Sequence, residues 1–192
     1  MNILIINQYS APTSKGFQQE RHIYIAKELV SLGHNVSLVA ARHHHYIHPS
    51  ESVRLPSTET LYGFKFIRLN VLRYKSSYHK LRILSSFSFA FKLLFIGKKI
   101  NFIPDIIIFS SPSPIGYLSA EFLASKFSAK LVFDVRDLWP LSLTTLGGYS
   151  QKHLFIRFLQ WIEDRACRKA DLITSNLYGA IEHLKTRGLD DK

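Results

Sequence analysis

Sulfur is nearly absent from this chain: one cysteine, Cys167, and one methionine, Met1, in 192 residues. A lone thiol builds no disulfide framework and leaves no CxxC pair for a structural metal or a redox couple. Cys167 falls in a helical pattern beside Trp161 and Ala166, which reads as a packed thiol rather than a nucleophile. Acid is also scarce, with 14 Asp and Glu against 25 Lys and Arg, a formal charge of +11. That excess points to an anionic partner: nucleic acid, anionic lipid or a phosphorylated substrate. No uncharged apolar run reaches the ~18–20 residues that span a bilayer. The start, MNILIINQYS, has no basic leader and only a short apolar run, Ile3 to Ile6, so it does not read as a secretory signal. A cytoplasmic protein is the expectation, and Asn35-Val36-Ser37 is then an incidental glycosylation triplet.

Glycine-rich phosphate motifs are missing as well. The loop after the first apolar run reads NQYSAPTSKG, with Gly16 alone where a dinucleotide fingerprint needs several glycines. GxxxxGK[ST], GxSxG and HExxH are all absent, which argues against P-loop kinases, α/β-hydrolases and zincins. Lys15-Gly16 ahead of a helix can still hold an anion at that helix's N-terminus.

What is present is periodicity. Hydrophobic residues make up 46%, enough for one large core. Asn2 to Asn7 reads as a strand and Gln18 to Leu32 as a helix closed by Gly33. Asn35 to Ala40 is the next strand, completing a βαβ unit. Further strands are expected from Phe64 to Val71, Asp105 to Phe109, Leu131 to Val135 and Asp171 to Ser175. Between and after them lie helices over Ile83 to Gly97, Ile115 to Phe127, His153 to Ala170 and Leu177 to Lys185. Tyr117, Leu118, Phe122 and Leu123 are the expected core contacts of Ile115 to Phe127, and Leu154, Phe158, Trp161, Ile162 and Arg165 recur by three and four in His153 to Ala170. The fold class is α/β: a Rossmann-like, doubly wound, mostly parallel sheet of about six or seven strands, helices on both faces, in one domain.

Two segments depart from a plain core pattern. Ala41 to Ser57 holds His43, His44, His45 and His48, but adjacent histidines cannot all face one ion and only Glu51 is a nearby acid, so a metal-free loop is expected. Arg73 to Pro104 carries seven Lys and Arg and no Asp or Glu, interleaved with Phe and Tyr. Its helix reads either as a buried crossover between strands or as a segment half sunk in an anionic membrane surface. Lys80, Arg82, Lys98 and Lys99 are the expected membrane contacts.

LVFDVRDLWP, Leu131 to Pro140, is the most distinctive stretch: a buried strand ending in Arg136 and Asp137, then Trp139 and Pro140. Ligands of open α/β sheets bind beyond the carboxyl ends of the strands. Two readings stand open, a salt bridge that shapes the turn and a site.

MNILIINQYSAP, KELVSLGHNVSLVA, DIIIFSSPSP, FDVRDLWPLSLTTLGG and RKADLITS resemble the N-terminal domain of GT-B glycosyltransferases of family 4. The closest likeness is to bacterial enzymes of O-antigen and capsule synthesis, including fucosamine transferases. The resemblance implies a retaining transferase that moves a sugar from a nucleotide sugar to a polyisoprenoid-linked saccharide acceptor. It would work at the cytoplasmic face of the inner membrane, with no metal or other cofactor. It also implies that this chain is the acceptor-side half, inactive without a C-terminal donor-binding domain. By the same resemblance, Lys15 and Gly16 approach the donor diphosphate, while Arg21, His22, Ser111 and Trp139 face the acceptor cleft. Asp137 orients the acceptor hydroxyl. Arg136 stands where many relatives have histidine, and its fixed charge suits a phosphate or Asp137 rather than a general base. The competing class is a basic module that binds nucleic acid or another anion without catalysis, which requires clustered cations and stacking rings on one face.

Overall fold

A computed structural model describes residues 1–12, 21–74, 76 and 80–187. Seven strands form one sheet: β1 (Asn2–Ile6), β2 (Asn35–Ala41), β3 (Thr58–Leu61), β4 (Phe64–Leu69), β5 (Ile106–Ser110), β6 (Lys130–Val135) and β7 (Leu172–Ser175). Their order across the sheet is β3-β4-β2-β1-β5-β6-β7. All neighbours pair in parallel except β3 with β4. The expected Rossmann-like class is what forms. Strands covered on both faces read as nearly unbroken apolar runs, which is why NILII and IIIFS were legible.

The helices are α1 (Arg21–Ser31), α2 (Pro49–Arg54), α3 (Leu81–Leu93), α4 (Tyr117–Phe127), α5 (Leu141–Thr145), α6 (Leu154–Lys169) and α7 (Ala180–Lys185). Crossovers between parallel strands are right-handed. The step from β1 to β2 and the steps from β4 through β7 run in opposite directions along the sheet, so α1 packs on one face and α3, α4 and α6 on the other. The two cores reflect this. Ile23 and Ala26 of α1 meet Ile3, Ile5, Leu38 and Phe66, while Phe89, Leu123 and Leu159 meet Leu4, Ile107 and Phe133.

Several expected boundaries shift. Residues 18–20, expected to open the first helix, lie outside the described residues. The polar stretch Ala41 to Ser57 contains α2, opened by Pro49, whose fixed φ suits a first helical position. Strand β3 was not expected. It is a polar edge strand joined to β4 by Tyr62 and Gly63, both at positive φ. Gly63 at φ +86 has room for no side chain, since a Cβ there would lie 2.9 Å from Val30 Cγ1. The hairpin is held by Arg68, buried on β4 and ion-paired with Glu59 of β3.

Two packing stripes are corrected. Phe122 is 52% exposed. In α6 the inward face is Ile156, Leu159, Ile162, Ala166 and Cys167, while Leu154, 79% exposed, and Trp161 point outward. A stripe of apolar residues at spacings of three and four fits either side of a helix when both sides carry apolar residues. Cys167 is buried as expected, and burial pushes its thiol up to about 12. No helix of the described residues is long and apolar enough to cross a membrane.

Phe133→Ala should destabilise the fold by ~3–5 kcal/mol, the cost of emptying a core aromatic site, whereas Phe122→Ala should stay within ~0.5 kcal/mol. Urea denaturation of the two variants side by side checks this.

Candidate functional site

The sheet reverses its winding between β1 and β5, and at such a switch point the loops diverge and leave a crevice. Asn7 follows β1 and braces the gap. Its Nδ2 donates to the carbonyls of Ser110 and Ser111 at 3.3 and 3.2 Å, and its Oδ1 accepts from Tyr9 N and Ser10 Oγ. Above it opens a cleft of about 1330 Å³.

The turn after β6 forms one wall. Ser111 Oγ accepts from the backbone N–H groups of Arg136 (2.8 Å) and Asp137 (3.3 Å), which fixes how these residues leave the strand. Asp137 and Arg136 do not pair with each other. The Asp137 carboxylate instead accepts from Trp139 Nε1 at 2.8 Å and Ser142 Oγ at 2.6 Å, stapling the start of α5. The Trp139–Pro140 peptide is cis. Of the two readings of this stretch, the salt-bridged turn is not what forms. Arg136 keeps a buried Nε without a hydrogen-bond partner. Burial, and then the nearby Arg21 charge, push its pKa down, so both act against the cation and an incoming anion would relieve both.

Aromatic rings make the opposite wall. The Arg82 guanidinium lies 5.7 Å from the centre of Tyr9 on this wall and 5.5 Å from that of Trp139 on the other. Tyr9 also meets His45 and Tyr46. Burial first, and then the Arg82 charge, lower the His45 imidazole to about 4, so it is neutral near pH 7. The three adjacent histidines go separate ways: His43 Nδ1 to Ser52 Oγ, His45 Nδ1 to Tyr74 Oη, and His44 edge-on to Tyr9. Among the described residues no group of three His, Cys, Asp or Glu is placed to hold a metal ion.

The expected site residues thus separate into groups. Ser111, Arg136, Asp137 and Trp139 line the cleft, and Lys80 and Arg82 line it with them. Lys98 and Lys99 follow α3 at its other end, where Lys99 O accepts from Lys65 Nζ at the start of β4. Thirteen helical residues span ~20 Å, so the four cations expected at a membrane divide into two pairs at opposite ends of α3. Lys15 and Gly16 lie outside the described residues.

Arg21 and His22 stand behind the cleft, on Asp134, a residue the sequence reading passed over. Asp134 is buried in β6 and faces α1. It accepts from Arg21 Nη1 and Nη2 at 3.2 Å each, from Ser110 Oγ at 2.6 Å and from Thr174 Oγ1 at 3.2 Å. His22 Nε2 lies 3.5 Å away, at the outer edge of hydrogen-bonding range, and has no closer partner. Burial alone would raise the Asp134 carboxyl; contacts with His22 and Ser110 and the Arg21 charge outweigh it and lower the pKa to about 2. One signal could have found this residue, an acid inside an otherwise apolar strand. A carboxyl with a lower pKa folded than unfolded contributes fully above its unfolded value and loses that contribution as pH falls through its folded value. Asp134→Asn should therefore cost about 2 kcal/mol at pH 7, and the gap from wild type should close as pH falls from about 4 to about 2, read by denaturation at stepped pH.

No curated protein matches the sequence. Among solved structures, a ugt transferase from Siraitia grosvenorii in complex with UDP aligns at 10% identity and a TM-score of 0.48. The alignment covers 95% of this chain and 46% of that one, so the chain spans about half the length of that enzyme. The family described as "Glycosyl transferase 4-like domain" matches residues 22–192, nearly the whole chain, and the protein belongs to that family.

Proposed function

We propose that the chain is the acceptor-side domain of a retaining glycosyltransferase that carries a sugar from a nucleotide sugar to a lipid-linked saccharide in surface polysaccharide synthesis. N-acetyl-fucosamine is the donor sugar to which the sequence resemblance points. A second Rossmann-like domain closes over the cleft, binds most of the donor and completes the site. The observation that carries this reading is Arg136: a guanidinium at a strand end, facing the switch-point cleft, with a buried nitrogen unpaired and Asp137 beside it.

The chemistry follows from those two groups. When a glycosyl–phosphate bond breaks, negative charge grows on the leaving phosphate and positive charge on the sugar ring. A preorganised cation at the phosphate stabilises the transition state more than the ground state. Arg136 supplies that charge in bidentate form. Both oxygens of Asp137 already accept a hydrogen bond, which fixes their direction, and each keeps a lone pair for an acceptor hydroxyl. Tyr46 and Trp139 offer apolar faces on which sugar rings stack.

In the complete enzyme, Arg136→Ala should lower kcat/KM at least ~100-fold, about 2.7 kcal/mol of transition-state stabilisation, with the circular dichroism spectrum unchanged. Sugar transfer from labelled nucleotide sugar to an isolated lipid-linked acceptor is the readout. Activity within about twofold of wild type would remove the proposed role of the charge.

A further inference from the structure

Helix α3 is apolar on two sides. Its inner face, Phe89, Ala90 and Leu93, belongs to the core. Its outer face carries Leu84, Phe87 and Phe91, and Phe95 follows just past its end, with Phe91 62% and Phe95 54% exposed. A helix that is apolar all round is normally covered all round. The outer rings fall into two groups that together make a ridge along α3 and α6. Phe91 meets Phe95 edge to face at 5.4 Å, Phe87 stacks on Phe158 of α6 at 6.1 Å, and Phe158 stacks on Trp161 at 6.1 Å.

The charge around this ridge has one sign. Lys92, Lys98, Lys99 and Arg157 are exposed, and among the described residues none of them is in an ion pair. The acids of the helices on this face are already neutralised or enclosed: Glu121 pairs with Arg165, Asp164 with Arg187, and Glu163 is buried. Exposed aromatics ringed by uncompensated cations complement a surface that is apolar within and anionic at its rim, which is the interface of a bilayer containing anionic lipid. A single-stranded nucleic acid would instead stack its bases on these rings, an outcome that the test separates.

We infer that the α3–α6 aromatic ridge docks on an anionic membrane, with Phe87, Phe91, Phe95 and Trp161 entering the headgroup–acyl boundary and Lys92, Lys98, Lys99 and Arg157 resting on the lipid phosphates. This deepens the transferase reading and rests on it for its setting. Both helices begin at the cleft, since Ile83 and Ser86 of α3 and Phe155 of α6 line it. Docking along the ridge therefore brings the cleft mouth to the bilayer, where a lipid-linked saccharide presents its sugar.

The test uses vesicles with neither donor nor acceptor, so its outcome is separate from that of the transferase reading. The protein should co-sediment with phosphatidylglycerol–phosphatidylethanolamine vesicles and not with pure phosphatidylcholine. In Trp139→Phe, Trp161 is the remaining tryptophan, and its emission should shift to the blue on the anionic vesicles. The combined Phe87→Ser, Phe91→Ser and Phe95→Ser variant should partition at least ~10-fold more weakly, with little salt dependence in the loss, because the removed contacts are apolar. The combined Lys92→Ser, Lys98→Ser and Lys99→Ser variant should lose binding at low salt above all. Equal partitioning of the phenylalanine variant and wild type overturns the inference. So does a lipid-independent self-association that the phenylalanine variant abolishes, or retention on single-stranded oligonucleotide without binding to vesicles.

Discussion

The reversal of winding between β1 and β5 is the constraint on which the other features depend. A chain that crosses over toward β2 from one side of β1 and toward β5, β6 and β7 on the other must leave neighbouring loops pointing apart. Those loops carry the chemistry: Asn7 and Tyr9 after β1, Ser111 after β5, Arg136 and Asp137 after β6. The gap is not left open to chance. Asn7 ties the two strand ends through two carbonyls, so the floor of the cleft is a fixed backbone surface. Helix α1 lies on one face and α3, α4 and α6 on the other for the same reason, and the cores are correspondingly separate.

Two carboxylates three residues apart illustrate how environment divides work between like groups. Asp134 and Asp137 belong to one strand and its turn, yet one faces into the fold and the other into the cleft. Asp134 is surrounded by donors and tied to the start of α1. It positions Arg21 and His22 at the start of α1. Asp137 has two donors and a free side. Its neighbour Arg136 has the opposite problem, a cation short of partners. The unequal satisfaction of these groups, more than their presence in the sequence, is what marks the turn as a place for a ligand.

The parallel strands β1 and β5 were legible because each is an apolar run with no competing reading, and the motif FDVRDLWP located the turn. The hairpin strand β3 was not, since TETL has neither the hydrophobicity nor the alternation of a core strand and is defined by its partner β4. The outward placement of Phe122, Leu154 and Trp161 was hidden for a different reason. Periodicity finds apolar residues but not the direction they face, and here the outer sides of the helices are apolar too. Asp134 was overlooked because its partners, Arg21, Ser110 and Thr174, come from three distant segments that only the sheet order brings together.

Arg82 has a consequence for what the cleft can accept. Tyr9 follows β1 and Trp139 follows β6, and the two strands stand two sheet spacings apart, ~10 Å. One planar guanidinium touches both rings. It acts as a gauge block set across the opening, holding the two rims at a width given by backbone spacing. A lysine in its place, with a compact ammonium and no plane to share, would reach one ring or the other. The rims would then move independently, and the opening would keep its charge but not its fixed width.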